Sequence, residues 1–292
     1  MIIVEIRGGL GNQMFQYAFG RAQAERLGVN LVLDTTAYSD YRLHHGFQLA
    51  SVFNAPAREA TPQELRAFLG WRLLAFRMGG RARNIALRIP GKYLVREPHF
   101  EYHAKAASAP AGSYFAGYWQ SERYFAQVDS VIRREFTFRQ PPSPANAQMC
   151  DRIRSVNAVS IHVRRGDFVA DTRTNAYHGT CSADYYADAV RAIQQRVEGA
   201  TFYVFSDDVP WVQANLHVAG PCVFVEHNTG PSAFEDMRLM SACRHHIIAN
   251  SSFSWWGAWL GSNRDKLVIA PRRWFVAEIN TDDLLPKTWM KL

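Results

Sequence analysis

Ile2-Ile3-Val4-Glu5-Ile6-Arg7-Gly8-Gly9-Leu10-Gly11-Asn12-Gln13-Met14-Phe15-Gln16-Tyr17-Ala18 decides the class of fold. The run Ile2 to Ile6 is apolar apart from Glu5 and reads as a short strand. A glycine-rich turn follows. A helix then runs from Gln13 to Leu27, with Gly28 placed to end it in the C′ position. Asn30 to Asp34 is a second strand. Strand, turn, helix and strand in this order make a unit of parallel sheet.

The same alternation recurs along the chain. Thr61-Pro62-Gln63-Glu64 reads as a capping box with proline at the first helical position, so a helix begins there. Tyr114 to Tyr118 is a strand, and Ser121 caps a helix running to about Phe136. Arg139-Gln140-Pro141-Pro142-Ser143-Pro144-Ala145 is the clearest break, because prolines so close together stiffen the chain into a linker. Beyond it come a strand (Ala158 to Val163), a helix capped by Ser182 and reaching Val197, and strands at Phe202 to Phe205 and Cys222 to Val225. A helix from Pro231 to Cys243, a strand from Ile247 to Ala249, a helix from about Phe253 and a last strand from Leu267 to Ala270 complete the pattern. Two Rossmann-like α/β domains facing across a cleft are expected. The boundaries are 1–140 for the first and 148–275 for the second, with a tail at 276–292 that packs back on the first.

The chain has 292 residues, 48% of them hydrophobic and 20% charged, which is ordinary globular composition with room for a large core. Its net charge of +7 favours anionic partners. The cations are scattered and form no long basic run with interleaved aromatics, which argues against nucleic acid. They leave room for peripheral contact with the inner membrane surface. Cys150, Cys181, Cys222 and Cys243 show neither Cys-x-x-Cys nor zinc spacing and read as free thiols of a reducing cytoplasm. The N-terminus carries charge too early for a signal peptide. The least charged long run, Ile247 to Asn263, falls short of the roughly 20 apolar residues a membrane span requires.

In a parallel sheet, ligands bind beyond the carboxyl ends of the strands, and four polar clusters fall there. Gly8 to Gln13 is neither a Walker loop nor Gly-x-Gly-x-x-Gly, and by itself reads equally as a tight turn. His162-Val163-Arg164-Arg165-Gly166-Asp167 ends a strand in two adjacent arginines, whose forked donors suit phosphate oxygens; the alternative is a solvated pair beside a core histidine. Ser206-Asp207-Asp208 offers carboxylates to a ribose or a guanine edge, or else an N-cap. Asn250-Ser251-Ser252-Phe253-Ser254 precedes a helix, so hydroxyls and backbone N–H groups can converge on a phosphate. Trp255, Trp256 and Trp259 read as core. No two aspartates stand two apart, so the Asp-x-Asp arrangement that holds a divalent ion in many sugar-nucleotide enzymes is absent. Arginine and helix dipole would then stabilise a leaving diphosphate.

Together these clusters resemble the bacterial and animal α-1,2-fucosyltransferases of glycosyltransferase family 11. Gly117-Tyr118-Trp119-Gln120-Ser121-Glu122, His178-Gly179-Thr180-Cys181-Ser182 and Ile269-Ala270-Pro271 share the likeness, which covers essentially the whole chain in order. Phe168 departs from it, standing where many relatives have Tyr. The resemblance implies a GT-B fold, GDP-fucose as donor, no metal cofactor, a galactoside acceptor glycan and inversion at the sugar, in surface polysaccharide (O-antigen) synthesis. It implies donor binding by Gly11, Asn12, Gln13, His162, Arg164, Arg165, Asp207, Asp208, Asn250, Ser251, Ser252, Phe253 and Ser254. Gln16, Tyr118, Trp119, Gln120 and His178 are expected on the acceptor side, with Trp119 turned toward the cleft and His178 on a loop. Arg164 is assigned to the departing diphosphate, and Asn12 is expected to reach the reacting groups. Asp167 is either the catalytic base or a group that holds its loop or pairs with an arginine. Competing readings are a GDP-fucose-dependent transferase of another linkage and a non-catalytic sugar- or nucleotide-binding protein.

Overall fold

A computed structural model of the chain describes residues 1–39, 45–56, 58–78, 80–91, 93–166 and 172–292, the last stretch by its backbone alone at 172–174. The chain divides into two compact units. Residues 1–139 with 280–284 form the first, and 140–279 with 285–292 the second.

The first unit is built on a five-stranded sheet in the order β3-β2-β1-β5-β4. Its strands are β1 (Ile2–Glu5), β2 (Leu31–Asp34), β3 (Arg58–Glu59), β4 (Leu94–Arg96) and β5 (Tyr114–Ala116). Every pairing is parallel. β1 is central and fully buried, which explains the continuous apolar residues Ile2, Ile3 and Val4 before Glu5. The helix Leu10–Leu27 follows it directly and starts three residues earlier than periodicity suggests. Gly28 ends that helix in the left-handed region (φ 64°), and its N–H returns to the carbonyls of Ala24 and Glu25. The capping box at Thr61 is formed in both directions, with Pro62 at the first turn.

The segment after Ser121 differs from its sequence reading. Ser121 caps, but the expected single helix to Phe136 is broken into two 3-10 turns, Glu122–Tyr124 and Ala126–Val128, before the helix Asp129–Glu135. Tyr124 and Phe125 are buried among aromatic neighbours, and tertiary packing overrides a weak local preference.

The second unit carries a six-stranded sheet in the order β11-β10-β9-β6-β7-β8, again with parallel pairings throughout. Its strands are β6 (Asn157–Val163), β7 (Ala200–Ser206), β8 (Cys222–Val225), β9 (His245–Ile247), β10 (Val268–Ala270) and β11 (Met290–Lys291). The expected last strand at Leu267 to Ala270 is therefore followed by one more, a two-residue edge strand with no hydrophobic run to announce it. Pro144 does not stop a helix but starts one: Ser143 caps Pro144–Arg154 by accepting from the Asn146 N–H, and proline sits at the first turn, where no hydrogen bond is lost. The helix Ser252–Leu260 buries Trp255, Trp256 and Trp259 as core. Lys266 closes its far end, donating to the carbonyls of Ala258 (2.8 Å), Trp259 (3.1 Å) and Gly261 (2.7 Å).

Among the described residues, no helix is long and apolar enough to cross a membrane. All four cysteines are free.

Candidate functional site

Parallel strands put all their carboxyl ends on one edge of each sheet. In the second unit β9, β6 and β7 are adjacent, so residues 162–166, 206–208 and 248–253 meet there although they are distant in sequence. The meeting is electrostatic. Arg164 Nη1 lies 3.0 Å from Asp207 Oδ2. The other oxygen of Asp207 accepts from the Arg165 backbone N–H at 2.8 Å. Arg165 Nε donates to Asp208 Oδ2 at 3.3 Å, and its guanidinium lies 3.8 Å from the centroid of the Trp211 ring. Asp208 also caps the helix Val209–Asn215 by accepting from the Trp211 N–H. Both arginines are thus held by neighbouring carboxylates while their side chains stay partly exposed, at 24% and 18%. Such preorganised donors cost little to reorient when an anion arrives.

His162 stands behind the pair, with its ring 5.8 Å from that of Phe253. It is buried, and its Nδ1 has no partner among the described residues. Burial pushes its pKa down to about 4; Asp207 opposes the shift and Arg164 adds to it. The ring is therefore neutral near pH 7. Ser251 caps the helix Ser252–Leu260 through the Phe253 N–H, so Ser251, Ser252 and Phe253 line a helix N-terminus at the same edge.

Asn250 and Ser254 are brought close but turn away. The Asn250 amide donates to the carbonyls of His178 (2.9 Å), Gly179 (3.2 Å) and Trp274 (3.1 Å). Ser254 is fully buried and points its hydroxyl back to the Ser251 and Ala249 carbonyls. Both hold backbone in place instead of reaching a ligand. Asp167 lies outside the described residues. His178 is not on a loop but in the last turn of the helix Thr172–His178, in the second unit, against Tyr177 and Phe275.

In the first unit the corresponding edge gathers the ends of β1, β4 and β5. Asn12, in the first turn of the helix Leu10–Leu27 beside Gly11, accepts from Gln120 Nε2 at 2.7 Å. Its own Nδ2 has no partner among the described residues. Tyr118 is half-buried, stacked at 6.4 Å on Phe100, with the Arg7 guanidinium 5.7 Å from its ring centre.

Three expectations fail here. Gln13 has every hydrogen-bonding position filled: its amide donates to the Gly8 and Gly46 carbonyls and accepts from the Gln48 and Leu49 N–H groups. Gln16 is buried and bridges the Arg7 N–H to the Gly117 carbonyl. Trp119 does not present its ring to a ligand. It is fully buried and stacked on Phe19, with centroids 4.1 Å apart and an interplanar angle of 8°.

Trp119 also holds a left-handed backbone (φ 56°), unusual for a bulky residue. Glu97, which sequence reasoning passed over, explains how. Its two carboxylate oxygens accept the N–H groups of Tyr118 (2.6 Å) and Trp119 (2.9 Å) and clamp the turn. Gly117 is needed for this approach, since a Cβ there would lie 2.4 Å from Glu97 Cβ. Burial pushes the Glu97 carboxyl up to about 7, against the opposing effect of the two N–H bonds. The one signal in the sequence was a carboxylate between a strand and Pro98. Trp211, also overlooked, lies beneath Arg165 only because the helix after Asp208 turns it there.

Two parallel-sheet α/β units give the chain a GT-B fold. The solved fucosyltransferase NodZ from Bradyrhizobium shares this fold, with a TM-score of 0.53 at 14% identity over 88% of this chain and 91% of that one. The chain belongs to glycosyl transferase family 11, whose profile matches residues 1–292. It is 35% identical over 301 residues to an α-1,2-colitosyltransferase of Escherichia coli, covering 100% of this chain and 99% of that protein. It is 26% identical over 268 residues to the galactoside 2-α-L-fucosyltransferase Sec1 of Mus musculus, covering 89% of this chain and 64% of that protein.

Proposed function

We propose that this glycosyltransferase moves L-fucose from GDP-β-L-fucose to the 2-hydroxyl of a β-galactoside, with inversion and without a metal ion, during assembly of a surface polysaccharide such as an O-antigen. The observation that carries the reading is the double ion pair of Arg164 and Arg165 with Asp207 and Asp208, at adjacent strand ends of a family 11 chain.

The acceptor oxygen attacks C1 of fucose from the face opposite the diphosphate. The new C1–O bond forms as the C1–O bond to phosphate breaks, and GDP leaves with the electron pair. Arg164 and Arg165 meet the charge that grows on it, helped by the helix N-terminus at Ser251 and Ser252. Asp207 and Asp208 serve the donor by fixing the arginines. Neutral His162 and Phe253 lie against the nucleotide or its sugar. The hydroxyl proton passes to a carboxylate, which we assign to Asp167 from its place beside the arginines in sequence. Glu97 is less suited, because both its oxygens already accept backbone N–H bonds. Of the residues expected on the acceptor side, Tyr118 and Gln120 lie in the first unit together with Asn12, and His178 lies in the second.

The relative of Escherichia coli favours a second reading, in which the donor sugar is colitose, which lacks the 3-hydroxyl of fucose. The test is turnover of GDP-fucose and GDP-colitose on lactose, with the linkage of the product read by NMR. Efficient use of GDP-fucose and a product substituted at galactose O2 support the first reading. A product formed from GDP-colitose alone replaces it with the second. GDP release at the same rate without any acceptor removes both.

A further inference from the structure

We propose that the outward faces of the helices Arg72–Met78 and Gly80–Arg88, in the first unit, dock on the anionic surface of a lipid bilayer. Six of the ten large apolar side chains exposed among the described residues fall between Trp71 and Tyr93. Trp71, Leu74, Met78 and Ile85 are exposed at 59%, 69%, 70% and 61%. Ordinary surfaces scatter such residues singly. Here helical periodicity gathers them. Leu73 and Phe76 are buried and fix the first helix, so Leu74 and Met78, at i and i+4, share its outer face, and Trp71 is exposed just before it. Ala86 is the buried residue of the second helix, which leaves Arg81, Ile85, Arg88 and Ile89 outward.

The two faces are joined into one surface. Arg72 lies 4.8 Å from the Trp71 ring centre and donates to the carbonyls of Ile89 (3.3 Å) and Pro90 (2.7 Å). It thereby ties the start of the first helix to the end of the second. At the other ends, Met78 and Gly80 are separated by a single residue.

Charge identifies the occupant. Between Glu64 and Glu97 the sequence has seven Arg and one Lys and no Asp or Glu. Arg83 is used internally, on Glu5. Arg77, Arg81 and Arg88 are exposed among the apolar side chains. Apolar groups that enter the headgroup layer, flanked by long cations whose stems cover apolar surface and whose heads meet phosphate, match an anionic membrane. A second copy of the same surface would bring cations against cations. The inference does not depend on the donor and acceptor assigned above.

The test is sedimentation of the full chain with vesicles of phosphatidylcholine alone and of phosphatidylcholine mixed with phosphatidylglycerol. The protein is expected to pellet with the mixed vesicles and to stay largely free with the neutral ones. Leu74→Ser with Met78→Ser should abolish pelleting. Arg77→Gln with Arg81→Gln should weaken it about 25-fold, from a loss of about fivefold per cation. All four positions are exposed, so thermal unfolding and turnover on soluble lactose should match wild type and show that the variants fold. Wild-type protein that stays free of mixed vesicles overturns the proposal, as do folded variants that pellet like wild type. A dimer seen without lipid and broken by the Leu74 and Met78 changes would replace the membrane with a second copy of the chain.

Discussion

Arg164 and Trp119 show how differently two residues singled out in the same sequence can serve a protein. Arg164 is a partly exposed cation aimed from a strand end and steadied by Asp207. Arg164→Ala is expected to lower turnover at saturating donor by roughly 100- to 1,000-fold while the fold survives. Arg164→Lys should restore little, because an ammonium lacks the two-pronged fork. Steady-state kinetics with a matched unfolding curve check both, and near-normal turnover in Arg164→Ala would move the role to Arg165. Trp119 is enclosed by Phe19, Phe115 and Tyr124. Trp119→Ala should cost about 3–5 kcal/mol of stability, as large aromatic truncations in cores do. The expected result is an early urea transition in the first unit, with donor and acceptor use declining together. A normal transition with only acceptor KM raised would restore the ligand role that its burial denies.

At the level of elements, local devices set the stability of individual helices. The capping box of the helix Pro62–Leu69 is exposed and depends on one hydroxyl, so Thr61→Ala should cost about 1 kcal/mol, read from the unfolding midpoint, with turnover unchanged. The buried carboxyls lend the fold a pH dependence. Burial pushes Asp236 up to about 7, with Asn228 opposing the shift and Glu235 adding to it, and Glu97 is raised to a similar value. Each folded-state pKa lies above its unfolded value near 4, so between pH 4 and 7 the folded chain binds protons that the unfolded chain releases. Their contribution to stability is fully present below about pH 4 and is lost as pH rises through 7. Asp236→Asn keeps an acceptor for Asn228 and removes the titration. Urea midpoints at acid and mildly alkaline pH should differ less in this variant than in wild type. An unchanged difference would show that Asp236 does not titrate there.

For the whole molecule, the metal-free reading makes turnover indifferent to excess EDTA, because fixed arginines supply the charge that a cation would. Activity lost on chelation and restored by manganese would refute it. The parallel α/β class and the strand–turn–helix opening were legible in the sequence because hydrophobic period, caps and glycine turns are local properties that neighbouring residues impose on one another. Pro62 at the start of a helix, Gly28 at the end of another and the Arg164-Arg165 pair after a strand could all be read from a few adjacent residues. Glu97 beneath Trp119, Asp207 beside Arg164, and the enclosure of Gln13, Gln16, Asn250 and Ser254 could not. Each depends on which strands lie side by side and how far one side chain reaches into the space left by another. A polar residue in a motif looks the same in sequence whether it faces a ligand or a backbone carbonyl. Local pattern was enough for the kind of fold and for the strand ends where the polar clusters gather. Which polar side chains there keep unfilled donors and acceptors follows from packing, because backbone from distant segments fills the rest.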